Sequence, residues 1–299
     1  MRTLICRLKG YLSEQVWNIG IIKPIALGKA NHYIIEVNWL KNIPRDNWYA
    51  DPFILKYDDN NIEILAEEYI SKDAKGVISL LTIDTKTFRV KQTSRVLELD
   101  THLSFPLIYR NNGKTYVMPE NYQAGHLTLY EYNDSTQQLV NPKIILNESV
   151  VDSSIVKIND CYYLFTTKYS QEFCGGSQDL LIYRSENIIG PYHPHQVISL
   201  DTPIARGAGS VIKDGNDYYI PTQNCSAGYG KQVIINKLSM HNNVFSIYEI
   251  SRISPLSPYN KGCHTYNIFG EYAVIDGYRY RYGMVSDFMS YIYNTLIKR

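Results

Sequence analysis

Asp51 and Asp152 each open an apolar stretch that runs five residues to a lysine, Lys56 and Lys157, and then turns. Cleaving or forming a glycosidic bond needs one carboxylate as base or nucleophile and a second, protonated carboxyl for the leaving oxygen. Glu67 closes the strand that follows Asp51, and Glu120 closes a strand in the same position of a second copy of the pattern. Asp51 and Asp152, with Glu67 and Glu120 near the same rim, are the candidates for these two roles.

The pattern is a repeat. Its frame is a strand, a basic residue, a polar turn and a second strand. It recurs at Phe105–Glu120, at Asp152–Thr167, at Ala208–Gln223 and, with a tighter turn, at His264–Asp276. The copies start at residues 51, 105, 152, 208 and 264, and a period of about 50 residues built from short strands is the mark of a β-propeller. Five copies predict five blades, an all-β fold. First strands line the channel of a propeller, so the strand starts Asp51, Asp152 and His264 and the strand ends Glu67, Glu120 and Asp276 should collect near one axis. Burying like charges there is costly without a purpose. Solvated turn residues at one end of the propeller are the bland alternative.

Two further groups fall on the same rim. In Ala205-Arg-Gly-Ala-Gly-Ser210, Gly207 and Gly209 let backbone approach a ligand closely while Arg206 clamps a phosphate or carboxylate. An ordinary ion pair at a tight passage between blades fits these residues equally well. Gln223, Tyr229, His264 and Tyr266 offer amide, phenol and imidazole groups suited to sugar hydroxyls. Glu67, Asp276 and Lys168, just after the second strand of blade three, are further binding candidates. A lone histidine such as His264 is by default a satisfied core residue, but its equivalence to Asp51 and Asp152 turns the balance toward the pocket.

These positions need elements to hold them. Residues 76–84, 127–132, 179–184 and 232–237 read as third strands, and residues 88–99 as an outer strand. The loops between second and third strands would frame the pocket. Leu4, Leu8, Leu12 and Val16, at steps of four, suggest a short helix within residues 1–20. Trp17–Ile21 begins an extended segment, and residues 34–39 read as a strand that closes the ring against the last blade. Residues 1–47 are therefore read as an N-terminal segment, 48–283 as the propeller, and 284–299 as an amphipathic helix bearing Val285, Phe288, Met289, Ile292 and Leu296 on one face. That helix docks on the propeller or touches a membrane surface.

Composition narrows the class. The net charge is +1 with both signs interspersed, so no nucleic-acid partner is expected. The 27 tyrosines, against 8 Phe and 3 Trp, favour strands and also supply ring faces and hydroxyls for polyhydroxylated ligands. Five cysteines without a CxxC pair support neither a zinc site nor a disulfide framework, and a reducing compartment fits best. No signal peptide or membrane span is read, and no metal or cofactor is expected.

At this point the residues resemble a known group. Ala50-Asp-Pro-Phe53, with acids at equivalent positions of successive blades, resembles the five-bladed glycosidase clan of families 43, 32 and 68, which includes arabinanases and invertases. A closer resemblance is to the propeller domain N-terminal to the glycosyltransferase of plant glucosamine inositolphosphorylceramide transferases. Trp17-Asn-Ile-Gly, Trp48-Tyr-Ala-Asp-Pro-Phe, Ser104-Phe-Pro, Pro119-Glu120, Arg206-Gly-Ala-Gly, Gln223-Asn-Cys225, Tyr229-Gly230, His264-Thr and Ile275-Asp-Gly carry it. The clan implies a base Asp opening blade one, matched by Asp51, and an Asp opening blade three, matched by Asp152. Its blade-four proton-donor Glu is replaced here by Ala208 and Gln223, which argues against ordinary hydrolysis and leaves Glu120 as substitute acid, or a protein that transfers or only binds a sugar. The resemblance implies a protein of surface-polysaccharide or glycolipid assembly, and with the cysteine usage the expected location is cytoplasmic, at most peripheral to the inner face of the membrane. Its ligand would be a sugar, glycan or glycolipid, phosphorylated or nucleotide-linked, and a partner glycosyltransferase is expected.

Overall fold

The computed structural model describes residues 14–27, 35–44, 46–170, 175 and 177–281. They form five four-stranded antiparallel sheets around one axis, a five-bladed propeller. Strands β1 (Gln15–Ile22) and β2 (Asn38–Trp39) precede the first complete blade. Blade one is β3 (Asn47–Tyr57), β4 (Asn61–Ile70), β5 (Lys75–Asp84) and β6 (Val90–Leu97). Blade two is β7 (Ser104–Asn111), β8 (Lys114–Glu120), β9 (Leu127–Asn133) and β10 (Gln138–Leu146). Blade three is β11 (Val151–Ile158), β12 (Cys161–Thr167), β13 (Asp179–Ser185) and β14 (His193–Ser199). Blade four is β15 (Ile212–Asp214), β16 (Asp217–Asn224), β17 (Gln232–His241) and β18 (Val244–Ile253). In blade five, β19 (Tyr266–Phe269) and β20 (Tyr272–Tyr280) are completed by β1 and β2.

Ring closure corrects the reading of the N-terminal segment. Residues 15–22 are not helical. They pair along their whole length with β20, from Gln15 opposite Tyr280 to Ile22 opposite Ala273. The partner strand outweighs a local four-residue spacing: Trp17, Ile19, Ile21 and Ile22 are all buried between neighbouring strands. The expected strand at 34–39 is shorter, Asn38–Trp39, and forms the outer edge of blade five against β1. Residues 1–13 and the expected helix at 284–299 lie outside the described residues.

One local device recurs in blades one to three. Between Ala50 opposite Glu67 and Phe53 opposite Leu65, two residues of β3 face one residue of β4, a β-bulge. The same slip occurs at Phe105–Pro106 in β7 and at Asp152–Ser153 in β11. Its first residue is left-handed each time, with φ of 50° at Asp51, 42° at Phe105 and 46° at Asp152. A non-glycine residue there costs about 1 kcal/mol, and the bulge re-aims the side chain and frees the backbone N–H from its ladder. Those N–H groups bond across to neighbouring blades: Asp51 donates to Asp276 Oδ2 at 3.2 Å, Phe105 to Asp51 Oδ2 at 3.2 Å, and Asp152 to Glu120 Oε2 at 3.1 Å. Blade five meets blade four through the Tyr266 N–H donating to the Ala208 carbonyl at 2.7 Å. The five repeat starts therefore cluster at one end of the channel.

Apolar cores fill the gaps between blades. Phe53 and Phe105 meet edge to face at 5.1 Å between blades one and two. Gly209 sits where blades four and five touch. Its φ is +147°, and a Cβ there would lie 2.2 Å from the Tyr266 carbonyl oxygen. Gly209→Ala is expected to lower stability by about 1–3 kcal/mol through overpacking and strain, read as a lower urea midpoint. An unchanged midpoint would contradict this close approach.

Candidate functional site

Two of the repeat starts, Asp51 and His264, line a cavity of about 490 Å³ at that end of the channel. Asp51, Glu67, Glu120, Arg206, Tyr229 and His264 line it together. Its walls are aromatic. Trp48 stacks on Tyr69 at 4.4 Å, Tyr122 on Tyr169 at 5.3 Å, and Trp17 on His264 at 4.0 Å. Tyr69 is the penultimate residue of β4, while Tyr122 and Tyr169 come from the loops between second and third strands of blades two and three. Rings at such a mouth offer apolar faces to a sugar, and the floor offers hydrogen-bonding groups.

Arg206 enters just ahead of β15 and is only 6% exposed. Its Nε donates to Asp152 Oδ2, its Nη1 donates to the Gly175 carbonyl at 2.8 Å, and its Nη2 lies 3.4 Å from Glu120 Oε2. The guanidinium also lies 5.0 Å from the centre of the Tyr229 ring. Gly207 allows this approach, since a Cβ there would meet the Asp152 carbonyl oxygen at 2.2 Å. The backbone that comes close is thus the protein's own. Of the two readings of Arg206, a ligand clamp or an ion pair at a passage between blades, its contacts match the second: the guanidinium is committed to two carboxylates and a carbonyl.

A second group joins blades five and one. His264 Nδ1 lies 2.6 Å from Asp276 Oδ2 and 3.5 Å from Asp51 Oδ1. Asp276 Oδ1 accepts the N–H groups of His264 and Thr265 at 2.9 and 3.0 Å, and the Thr265 hydroxyl donates to Asp51 Oδ1 at 2.7 Å. Ligand atoms of Asp51, His264 and Asp276 lie within 4.8 Å of one another, a spacing open to a metal ion. A metal would have to displace the short Nδ1–carboxylate hydrogen bond. Although burial works against charging His264, Asp276 and Asp51 outweigh it and raise the imidazole above its ordinary value.

The carboxyls are pushed apart in acidity. Burial, partly offset by His264 and reinforced by Asp152 and Asp276, raises Asp51 to about 6. Glu120 is driven well above the glutamate range by burial and then by Asp152. Glu67 is driven likewise by burial and then by Asp51, Asp276 and Asp152. Burial would raise Asp152 too, but the Arg206 guanidinium overcomes it and holds that carboxyl low. His102 completes the floor: its Nδ1 accepts the Gly76 N–H at 3.0 Å, which leaves the hydrogen on Nε2, 3.3 Å from Glu67 Oε1. Burial, followed by Arg206, lowers the His102 pKa and keeps the ring neutral.

The other candidates lie elsewhere. Asp152 and Asp276 stand behind the lining, and Gln223 donates to Asp152 Oδ2 at 2.6 Å and to the Gly207 carbonyl at 2.8 Å. Tyr266 is packed among Ile22, Leu27 and Ala208, and its hydroxyl accepts the Ile25 N–H. Lys168 is 63% exposed along its side chain and pairs with Glu148 at 3.0 Å. Trp17, Trp48, Tyr69, His102, Tyr122 and Tyr169 line the cavity without having been singled out. Trp17 and Trp48 did stand inside quoted motifs, Tyr69, Tyr122 and Tyr169 occupy or flank the rim connections, and His102 lies in the passage from blade one to blade two.

Comparison with known proteins follows the same lines. A family model described as glucosamine inositolphosphorylceramide transferase 1, N-terminal, matches residues 26–273. Glucosamine inositolphosphorylceramide transferase 1 of Arabidopsis thaliana is 27% identical over 203 residues, covering 65% of this chain and 26% of that protein. Its namesake from Oryza sativa subsp. japonica is 24% identical over 196 residues, covering 64% and 26%. The chain thus spans about a quarter of the length of the curated relatives it matches. An exo-beta-1,3-galactanase from Phanerochaete chrysosporium, solved with beta-1,3-galactotriose, superposes with a TM-score of 0.55 at 13% identity over 71% of this chain and 54% of that one. A thermostable family-43 glycoside hydrolase gives 0.53 at 14% identity over 74% and 83%. At these identities the structural likeness is one of fold.

Proposed function

The chain belongs to the family of the N-terminal region of glucosamine inositolphosphorylceramide transferase 1, and on that premise we propose that it is a carbohydrate-active enzyme working at the aromatic-walled cavity. One observation carries the reading. Asp51 and Glu120 line one cavity with different acidities, Asp51 at about 6 and Glu120 well above the ordinary glutamate value. Carboxyls held apart in this way divide into base and acid. At neutral pH Asp51 is ionised and takes the proton of the attacking hydroxyl, from a sugar or lipid acceptor in transfer and from water in hydrolysis. Glu120 gives its proton to the leaving oxygen as the glycosidic bond breaks. The Arg206-bound Asp152 anion helps keep Glu120 protonated.

The relatives' names, which join glucosamine to inositolphosphorylceramide, support a place in glycolipid or surface-polysaccharide assembly beside a partner glycosyltransferase. We place that work in the cytoplasm, at the inner face of the membrane. No helix among the described residues is long and apolar enough to cross a membrane. A second reading, a sugar-binding propeller without catalysis, has its own observation. Asp51, Glu120 and Asp276 each accept a backbone N–H from the adjoining blade, so stitching blades already gives these acids a use.

The test is incubation of the full chain with aryl glycosides, and with nucleotide sugars plus glycolipid acceptors, read by mass spectrometry beside a glycan array. Turnover on any donor supports the enzyme. Array binding without turnover supports the binder, and neither result would overturn a carbohydrate role.

A further inference from the structure

The rim of blade five carries charge that the sugar cavity does not use. Tyr278, Arg279 and Tyr280 end β20, and β1 sets Trp17 opposite Tyr278 and Gln15 opposite Tyr280. Gln15 and Trp17 line the cavity, so this rim adjoins its mouth. Three cations lie over tyrosine rings here. Lys231 is 5.4 Å from the centre of Tyr278, Lys261 is 5.8 Å from Tyr280, and the exposed Arg279 is 5.1 Å from Tyr259. Lys231 Nζ donates to the Tyr278 hydroxyl and the Lys261 carbonyl, neither of them an acid. The connections over residues 224–231 and 254–263, which hold the two lysines and Tyr259, contain no Asp or Glu. Elsewhere on the rim cations are matched, Lys75 by Glu98 at 3.3 Å and Lys168 by Glu148 at 3.0 Å. Arg281 is matched by Glu14 at 2.8 Å, and the chain continues from this pair into residues 1–13 and 282–299. The first of these segments has Arg2, Arg7 and Lys9 with no acid, and the second has Lys298 and Arg299 against Asp287.

We propose that the rim of blade five docks on an anionic lipid surface, with the channel mouth turned to the bilayer. The proposal rests on the placement at the inner face of the membrane and names the surface that makes the contact. Anionic headgroups attract Lys and Arg held close to them, and the attraction fades within a Debye length. Cations gathered on one face without acids therefore count, and matched pairs do not. Tyrosine and tryptophan rings settle at headgroup depth, where the apolar body and the polar tip are both accommodated. Rings that already carry cations suit that depth. An acidic protein face would satisfy the charge, but the adjoining segments favour lipid. They interleave cations with Leu4, Ile5 and Leu8, and with Phe288, Met289 and Ile292. Trp17 belongs to the rim and to the cavity wall alike. Docking thus brings the cavity to the headgroup layer, where a glycolipid presents its sugar without leaving the membrane.

Vesicle co-sedimentation tests the full chain against phosphatidylcholine alone and phosphatidylcholine mixed with phosphatidylserine, at low and high salt. Binding is expected only with the anionic lipid, and it should weaken as salt rises. Arg279→Gln and Lys261→Gln should each weaken it about fivefold, and the double variant about twentyfold. Lys261→Gln keeps the main-chain carbonyl that Lys231 uses. Neither residue lines the cavity, so handling of soluble sugars should stay that of the native protein. Should the variants fail to fold, hydrogen exchange of the native chain carries the test, with vesicles slowing exchange at residues 259–262 and 278–281. A double variant that binds as tightly as the native chain overturns the proposal and leaves the terminal segments as the anchor. Equal binding to neutral vesicles overturns it, as does protection confined to other blades or no vesicle binding at all. Soluble polyglutamate bound as tightly as the vesicles overturns it in favour of an acidic protein partner. Sugar turnover and array binding are read without vesicles, so the carbohydrate reading stands or falls separately.

Discussion

Arg206→Met should destabilise the propeller by about 3–5 kcal/mol at neutral pH, the cost of removing one partner from a buried ion pair. Methionine fills much of the same volume, so the loss is chiefly electrostatic. The Asp152 carboxylate would keep its burial and its hydrogen bond from Gln223 while losing the guanidinium. The Gly175 carbonyl and Glu120 would lose a donor at the same time. The effect has a pH signature. In the native protein Arg206 holds the Asp152 pKa below its ordinary value, so this pair's stability is present above that value and is lost as pH falls through the lowered one. Without Arg206, burial dominates and Asp152 moves upward, so the variant loses stability as pH rises. Its deficit in urea unfolding should be larger at pH 7 than at pH 4.5. Arg206→Lys keeps the charge without the planar fork and should fall between the two. A loss below about 1 kcal/mol at both pH values would show that the ion pair is not buried as described.

What was legible in the chain follows from what is local. The strand–turn–strand frame is written in contiguous residues, so blade number, strand order and the convergence of Asp51, Glu67, Glu120 and His264 could be read from it. The bulges could not, because they depend on register: Asp51-Pro52 and Asp152-Ser153 look like ordinary strand residues until Glu67 and Thr167 are set opposite their neighbours. That the extended segment from Trp17 closes the ring was hidden for a related reason, since its partner begins at Tyr272, far along the chain. Gly207 and Gly209 correctly signalled close approach. What approaches them is the backbone of Asp152 and Tyr266, and glycine alone does not distinguish a ligand from another blade. Tyr266 lies two residues beyond His264 but packs in the inter-blade core, and Lys168 lies beyond the end of β12, where its chain turns to solvent.

Asp51→Asn should separate the site's chemistry from its architecture, because it is expected to lower turnover and raise stability together. Asparagine keeps the shape and can still accept one of the two hydrogen bonds now made by the Phe105 N–H and the Thr265 hydroxyl. It cannot accept a proton from an attacking hydroxyl. Whichever transfer or hydrolysis the protein performs should fall by a factor of about 10²–10⁴. In stability the sign is reversed. Asp51 is raised from 3.8 to about 6 in the folded protein, so its ionisation opposes folding. The penalty is absent below the unfolded value, grows as pH rises between the two values, and is complete above about 6. It amounts to about 3 kcal/mol by the usual conversion, from which the weakened hydrogen bond subtracts about 1 kcal/mol. The variant should therefore show a higher Tm than the native protein at pH 7.5, and no gain at pH 4. If Asp51 served only to stitch blade one to blade two, asparagine would leave turnover unchanged, and that result would withdraw Asp51 from catalysis. A variant less stable than the native protein at pH 7.5 would contradict the crowding of acids around the channel mouth.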